Sequence, residues 1–480
     1  MRINIDIKKF PTKIEPLQQS MTLGDAHGNS VFILYWLIQN SVVTLKEKAD
    51  YEKFVQAHKV ILEMTQTAYA LSHDSYKGGL SNFDFDKTPN FAFDPARAQE
   101  HMSGLCSNVK NKKRLTDALD TIGIIIDNAT VTTQKCIIRF IGDMLADRGY
   151  CDYPTLLLLQ KLHAAVGVEK NTAGEVEKNI DVRILYSNHD KTLVEHYKFS
   201  RDSKFNFNPE VLGLAQQASL QTMIAFLEHG MLDPDKINGI ISECYLPKLK
   251  LIDISDNPVP GHPDRLRFYT HAPAGKNELN KLAKAILGDQ QKEFSSHAQF
   301  RSMVGDINNH FQQFLMRTMD ALKRKVADAA IHDFVWTRAA KMDEGWRDTL
   351  ATLGLECFHG HDGLLNVKNG DLNHVTGQIQ LDGLLQNIAQ ILYDYPDEPL
   401  DARRQFVERE FRRVGILLPV SGPDIQATGS GGLAAATSSA GMFAGPTTVS
   451  ATPASSAAAA AAASPHYSDP HNLDHTFLKK

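Results

Sequence analysis

The stretch Gly24-Asp25-Ala26-His27-Gly28-Asn29 decides the reading of this chain, and it follows directly on the apolar run Ser20-Met21-Thr22-Leu23. A carboxylate and an imidazole two residues apart at the end of a strand can both turn toward one cation. The flanking glycines let the backbone bend sharply enough to permit it. Alone, so short a motif carries little weight. The chain repeats the arrangement, however. Gly142-Asp143 closes the apolar run 136–141, with Asp147-Arg148-Gly149 just beyond. Ser187-Asn188-His189-Asp190 closes 182–186, His271 closes 266–270, and Gly360-His361-Asp362 closes 355–358. Five strand-like runs each deliver an Asp, Asn or His at their C-terminal end.

The series GDAHGN, GDMLADRG, SNHD, a lone His after a strand, and GHD resembles the calcineurin-like metallophosphoesterases. The Asp-Arg-Gly ending of the second block makes it most similar to the phosphoprotein phosphatases and their diadenosine tetraphosphatase relatives. The segment Phe334-Val335-Trp336-Thr337-Arg338, with Gly345-Trp346 beyond it, resembles the stretch that precedes the last His in that family. The resemblance covers roughly residues 18 to 390 with large insertions. Two departures stand out. The second block is one residue longer than the usual spacing, and Ser187 stands where a Gly is usual. The helical insertion and the altered second block also resemble the Wip-type effectors that intracellular bacterial pathogens secrete through a type IV system. That implies work in a host cell's cytosol, with a C-terminal tail that serves export.

Composition agrees with a soluble enzyme and excludes other classes. A length of 480 residues suggests one large catalytic domain plus extras, and 42% apolar with 22% charged residues is ordinary for a globular protein. The net charge of −5 offers no footprint for nucleic acid. Five scattered cysteines without CxxC spacing read as reduced, buried thiols of a cytosolic environment. The N-terminus has no signal-peptide core, and no apolar run reaches membrane-spanning length.

The pattern along the chain places these motifs. Residues 2–24 read as one or two strands broken by Pro11 and Pro16, and 29–40 as a buried helix beneath the first motif. The interval 43–130 reads as a mainly helical insertion, with helices over 45–72 and 113–126 and a surface loop over 75–95. It is the natural place for substrate selection. A crossover helix over 154–166 makes a βαβ unit with the next strand, and 167–180 is a polar link. A helix follows at 212–229, a strand at 249–254, one long helix at 302–330 and a strand at Phe334. Antiparallel pieces are expected near 364–384, and a charged helix over 402–414 closes the domain. The alternation of strands and helices argues an α/β or α+β sandwich. The resemblance makes this a metallophosphoesterase sandwich of two central mixed β-sheets flanked by helices. The catalytic domain is thus 1–418. Residues 419–480 form a low-complexity tail, rich in Ala, Ser, Gly, Thr and Pro, whose composition cannot offset the entropy of ordering.

By resemblance, Asp25, His27 and Asp143 hold a first divalent cation, and Asp143 bridges to a second completed by Asn188, His271 and His361. Manganese is the leading candidate, with iron or zinc as alternatives, because Asp oxygens and neutral His nitrogens suit all three. Two cations about 3.5–4 Å apart activate one water and clamp the phosphoryl oxygens. Arg148 then supplies a planar charged fork for the phosphate, with Asn188 and Arg338 as further substrate contacts. His189 reads as the acid that protonates the leaving group, with Asp147 steadying the imidazolium and Asp190 as its local competitor.

The bland readings are set against these. Asp147 could be a surface partner of Arg148, Arg338 an ordinary surface Arg, and Asn29 a loop-supporting residue in place of a ligand. His359 competes with His361 within Phe-His-Gly-His-Asp, and the Gly before His361 favours the latter.

The expected activity is hydrolysis of phosphoserine or phosphothreonine in a protein substrate, with phosphotyrosine as a further candidate. It proceeds by direct attack of metal-activated water. The competing readings are a diadenosine tetraphosphatase or other nucleotide hydrolase, and a catalytically dead scaffold. The large insertion favours a protein substrate, and the presence of every ligand type speaks against the dead fold.

Overall fold

The computed structural model describes residues 7–361 and 378–380, leaving out 13, 25, 27, 72–94, 147–150, 166–168, 171–175, 178, 197–213, 256–264, 289–292, 317, 339–341 and 344. The chain divides into two units, Met1–Asp424 and Ile425–Lys480, and all described residues belong to the first. The expected tail, the 402–414 helix and the loop within 75–95 lie outside the described residues.

The first half runs β1 (Ser20–Leu23), α1 (Ser30–Gln39), β2 (Val43–Thr44), α2 (Lys48–Leu71), α3 (Pro95–Ser107), α4 (Val109–Asn128), β3 (Thr130–Val131) and β4 (Cys136–Phe140). It continues with α5 (Tyr153–Ala164), β5 (Glu169–Lys170), β6 (Val176–Glu177), β7 (Ile180–Leu185), α6 (Asn188–His196) and α7 (Leu214–Glu228). After α8 (Pro234–Gly239) come β8 (Leu249–Lys250), β9 (Asp253–Ile254), β10 (Leu266–Tyr269), α9 (Lys276–Leu287) and α10 (His297–Leu315). The last elements are α11 (Ala321–Val335), α12 (Trp346–Thr352), β11 (Leu355–His359) and β12 (Gln378–Gln380).

Two four-stranded sheets organise these elements, in the orders β1-β4-β7-β8 and β12-β11-β10-β9. The first is parallel throughout, and the βαβ unit β4-α5-β7 is its centre. That corrects the expectation of two mixed sheets. Only the second is mixed, because β9 runs antiparallel to β10 while β11 and β12 are parallel. Of the interval 364–384, where antiparallel pieces are expected, only 378–380 lie among the described residues, and there β12 pairs parallel with β11. Parallel pairing is what buried, continuously apolar strands favour, and β4 and β10 are buried almost throughout.

Several expected elements change shape for identifiable reasons. The single strand over 249–254 is two, β8 in one sheet and β9 in the other. The chain crosses between the sheets at Leu251-Ile252. There the Asn308 side chain accepts from Leu251 N at 3.0 Å and donates to Ile252 O at 2.7 Å, satisfying backbone groups that leave both ladders. The long helix over 302–330 is α10 and α11, broken where Asp320 caps α11 by accepting from Lys323 N. Phe334 is no strand. It ends α11, buried on the same helical face as Ile331 and Ala327. Residues 7–12 form no strand, and the polar link holds the short pair β5 and β6.

Helix α1 is apolar all round because it is buried all round, with Trp36 packed 6.2 Å from Phe140 of β4. Helices α2, α3 and α4 pack on one another and fill the interval expected to be helical. Helix α10 touches both sheets, through Phe311 on Tyr186 (4.9 Å) and Phe300 on Phe268 (5.1 Å). Between the sheets lies a buried charge cluster. Arg139 of β4 meets Asp253 of β9 at 2.6 Å, and its guanidinium lies 4.0 Å over the Tyr269 ring of β10. No helix among the described residues is long and apolar enough to cross a membrane.

Candidate metal centre at the strand ends

Each motif sits where a parallel strand stops. Asp143 follows β4, Asn188 follows β7, His271 follows β10 and His361 follows β11. The carboxyl ends of parallel strands form a natural crevice, because side chains there are no longer fixed by the sheet. Their donor atoms converge from both sheets. Around His271 Nε2 stand Asn188 Oδ1 at 2.8 Å, His361 Nδ1 at 3.2 Å and Asp143 Oδ1 at 3.6 Å.

The opposite edge of the His271 ring explains this crowding. Its Nδ1 lies 3.1 Å from the Ile141 carbonyl, which can only accept, so the proton sits on Nδ1. With Nδ1 protonated, Nε2 faces the cluster, the arrangement a metal-binding histidine adopts when a carbonyl backs it. Four atoms able to ligate a metal face one another there, a crowding that a cation would resolve. Burial, and then the nearby His271 and Arg338, hold the His361 imidazole far below the usual histidine range, again in the neutral form. The donor set thus fits a divalent cation of the Mn, Fe or Zn type. Among the described residues no three His, Cys, Asp or Glu side chains form a complete metal site by themselves. The fourth donor here is an amide oxygen, and Asp25 and His27 lie outside the described residues.

Backbone strain marks the same place. Asp143 (φ 51°), Ala146 (φ 57°) and His361 (φ 70°) all adopt left-handed conformations without being glycine. Each such residue costs on the order of 1–3 kcal/mol and persists only where its surroundings hold it. Gly142 (φ 116°) is required outright. A Cβ there would lie 2.7 Å from His271 Nδ1 and 2.8 Å from Ser187 Cβ.

The expected acid, His189, begins α6 beside Asn188, with its Nδ1 3.2 Å from the Ala146 carbonyl. That carbonyl can only accept, so it meets a proton on Nδ1. Asp190, weighed as a partner for His189, is directed elsewhere. It accepts from Ser187 Oγ (2.7 Å), Tyr245 Oη (2.8 Å) and Leu145 N (3.3 Å). Burial, and then the Asp143 charge, push its carboxyl up to about 6 against the Ser187 hydrogen bond. Ser187 Oγ also accepts from Asp190 N at 3.0 Å, so a serine in the usual glycine position caps the start of α6.

Arg338 is half-buried. Its Nη1 donates to the His361 carbonyl, and Trp336 packs edge-on against the His361 ring at 5.7 Å. His361, not His359, meets His271, while His359 Nδ1 lies 2.8 Å from Gly360 O. Asn29 caps α1 by accepting from Phe32 N at 3.1 Å. Asp147 and Arg148 lie outside the described residues. The sequence reading did not single out Tyr245 or Asp152. Asp152 stands directly before a helix beginning Tyr153-Pro154, which signals an N-cap, yet its side chain makes no capping bond.

A family model for the WipA-like phosphatase domain matches residues 137–386, just over half of the chain. Among solved structures, the phosphatase domain from the Legionella effector WipB is similar at 20% identity with a TM-score of 0.50. The match covers 72% of this chain and 100% of that one. No curated protein matches the chain.

Proposed function

This chain belongs to the WipA-like family of phosphatase domains, and we propose that it is a metal-dependent phosphoprotein phosphatase built on the metallophosphoesterase sandwich. The observation that carries this reading is the convergence of Asp143, Asn188 and His361 on the Nε2 of His271, from strand ends of both sheets. Asp25, His27 and Asp143 would hold one cation, and Asp143, Asn188, His271 and His361 would hold the other, with manganese the leading candidate. When bound, the pair activates water and neutralises the phosphoryl oxygens for in-line displacement. Arg148 orients the phosphate. Arg338 holds the His361 carbonyl and is a further contact for the substrate phosphate.

His189 protonates the departing oxygen from Nε2 while the Ala146 carbonyl holds Nδ1, and Asp147 steadies the imidazolium. The substrate is a phosphorylated protein bearing phosphoserine or phosphothreonine, with phosphotyrosine as the further candidate, and the α2–α4 helices select it. By analogy with the effector WipB, the site of action is a host cytosol.

The test is turnover of phosphoserine, phosphothreonine and phosphotyrosine peptides beside diadenosine tetraphosphate, with Mn²⁺ and with chelator. Metal-dependent peptide turnover, lowered by ~10²–10⁴ in His189→Ala, is expected. Turnover of the dinucleotide alone would overturn the protein-phosphatase reading, and metal-independent turnover would remove the metal from it.

A further inference from the structure

We infer that Asp152 is a positioning residue for the leaving-group acid, acting through the backbone of Ala146. This rests on the phosphatase reading above and adds a residue to it. The second motif block is one residue longer than its family spacing, and within it Ala146 adopts a left-handed turn (φ 57°). Both oxygens of the Asp152 carboxylate accept from Ala146 N at 3.1 Å. The carbonyl of the same residue faces His189 Nδ1 at 3.2 Å. Ala146 is pinned at its amide and lies in the narrow left-handed region, where ψ is confined along with φ, so the direction of its carbonyl is held too, and with it the His189 ring.

Asp152 forgoes an easier role to do this. It occupies the N-cap position of α5, where an aspartate ordinarily accepts from the first helical amides, but it makes no side-chain cap bond. It is also completely buried. A buried carboxylate that turns both oxygens from a helix end to a loop amide supports the conformation of that loop. Asp190, accepting from Leu145 N one residue earlier, holds the other side of the same turn.

The experiment compares kcat on a phosphoserine peptide, whose alkoxide leaves poorly without a proton, with kcat on 2,4-dinitrophenyl phosphate, whose phenolate needs none. Wild type, His189→Ala, Asp152→Ser, Asp152→Glu and Asp152→Asn are measured in the full chain with Mn²⁺. Serine can cap α5 but is too short to reach Ala146 N. Glutamate keeps the charge but overshoots by a methylene, so it carries the test should Asp152→Ser not fold. Asparagine keeps one acceptor in place.

The serine and glutamate variants should lose ~10–100-fold on the peptide and far less on the aryl phosphate, in the same sense as His189→Ala. Asp152→Asn should recover most of the rate. Equal losses on both substrates, or none, would overturn the inference. A wild type inert on both, or His189→Ala equally impaired on both, would instead overturn the reading beneath it.

Discussion

Arg139 meets Asp253 at 2.6 Å between the sheets, and His271 meets Asn188 at 2.8 Å where the strands end. Both clusters are buried and polar, and both tie the two sheets together, yet they are composed in opposite ways. Around Asp253 the charges compensate. Arg139, Arg183 (3.2 Å) and Lys250 (2.9 Å) surround one carboxylate, and the Arg139 guanidinium also rests on the Tyr269 ring. Around His271 the atoms are alike, for the neighbours of Nε2 are two side-chain oxygens and an imidazole nitrogen, each able to ligate a cation, and two of the residues hold left-handed backbones. In the first cluster protein charges offset one another, and removing one partner would leave the other buried and uncompensated. The second is crowded with atoms able to ligate, in a way that a cation would resolve, and its strain marks function.

The sharpest way to break this comparison is to neutralise one carboxylate in each cluster. Asp143→Asn should lower peptide turnover by ~10³-fold or more, since the metal contributes several kcal/mol of charge stabilisation. The thermal midpoint of the metal-free protein should not fall, because asparagine tolerates the left-handed backbone and the like-atom crowding loses a charge. A clear drop in that midpoint would mean the strand-end cluster is structural.

Asp253→Asn should do the reverse. It leaves Arg139 buried without its counter-charge, for a loss of roughly 3–5 kcal/mol by chemical denaturation. The acid limb sharpens this further. Burial alone would raise the Asp253 carboxyl, but Arg139, and then Lys250 and Arg183, bring it down to about 2 from 3.8. A carboxyl lowered in the folded state stabilises above its unfolded value and loses that contribution as pH falls through the folded one. Wild type should therefore lose about 2 kcal/mol between pH 4 and 2, and Asp253→Asn should lack that part of the slope. Parallel acid limbs for the two proteins would place the stabilising charge elsewhere.

These differences bear on what can be read from a sequence. The strand-end donors were legible because each lies within a few residues of an apolar run, and fixed spacing is what a linear pattern records. Asn188, His271 and His361 are brought together from positions far apart, yet each carries its own local signal. The Arg139–Asp253 pair had none. Arg139 lies inside an apolar strand, and Asp253 belongs to a segment that reads as one strand but serves two sheets. The crossing at Leu251-Ile252 depends on Asn308, more than fifty positions away. Phe334 misled for a related reason. The end of a buried helix and a buried strand have the same composition over four or five residues, and only the periodicity through Ala327 and Ile331 separates them. Asp152 was passed over, because nothing in the linear pattern ties a carboxylate ahead of α5 to the amide of Ala146 six residues earlier.

A smaller perturbation tests whether the strand-end cluster depends on close approach as well as on its donors. Gly142 holds no donor atom of the site, yet its φ of 116° and the 2.7 Å from a built Cβ to His271 Nδ1 leave no space for a methyl group. Gly142→Ala must either turn the backbone, moving Asp143, or displace the His271 ring from the Ile141 carbonyl that sets its tautomer. The backbone conformation alone costs roughly 1–2 kcal/mol. The same substitution should weaken Mn²⁺ binding by ~10–100-fold, the size of effect seen when a ligand's supporting hydrogen bond is lost. Calorimetric titration of the metal separates the two consequences. If stability falls while metal affinity holds, Gly142 serves only the turn. If both fall together, the tautomer of His271 is set by how closely β4 and β10 approach at this glycine.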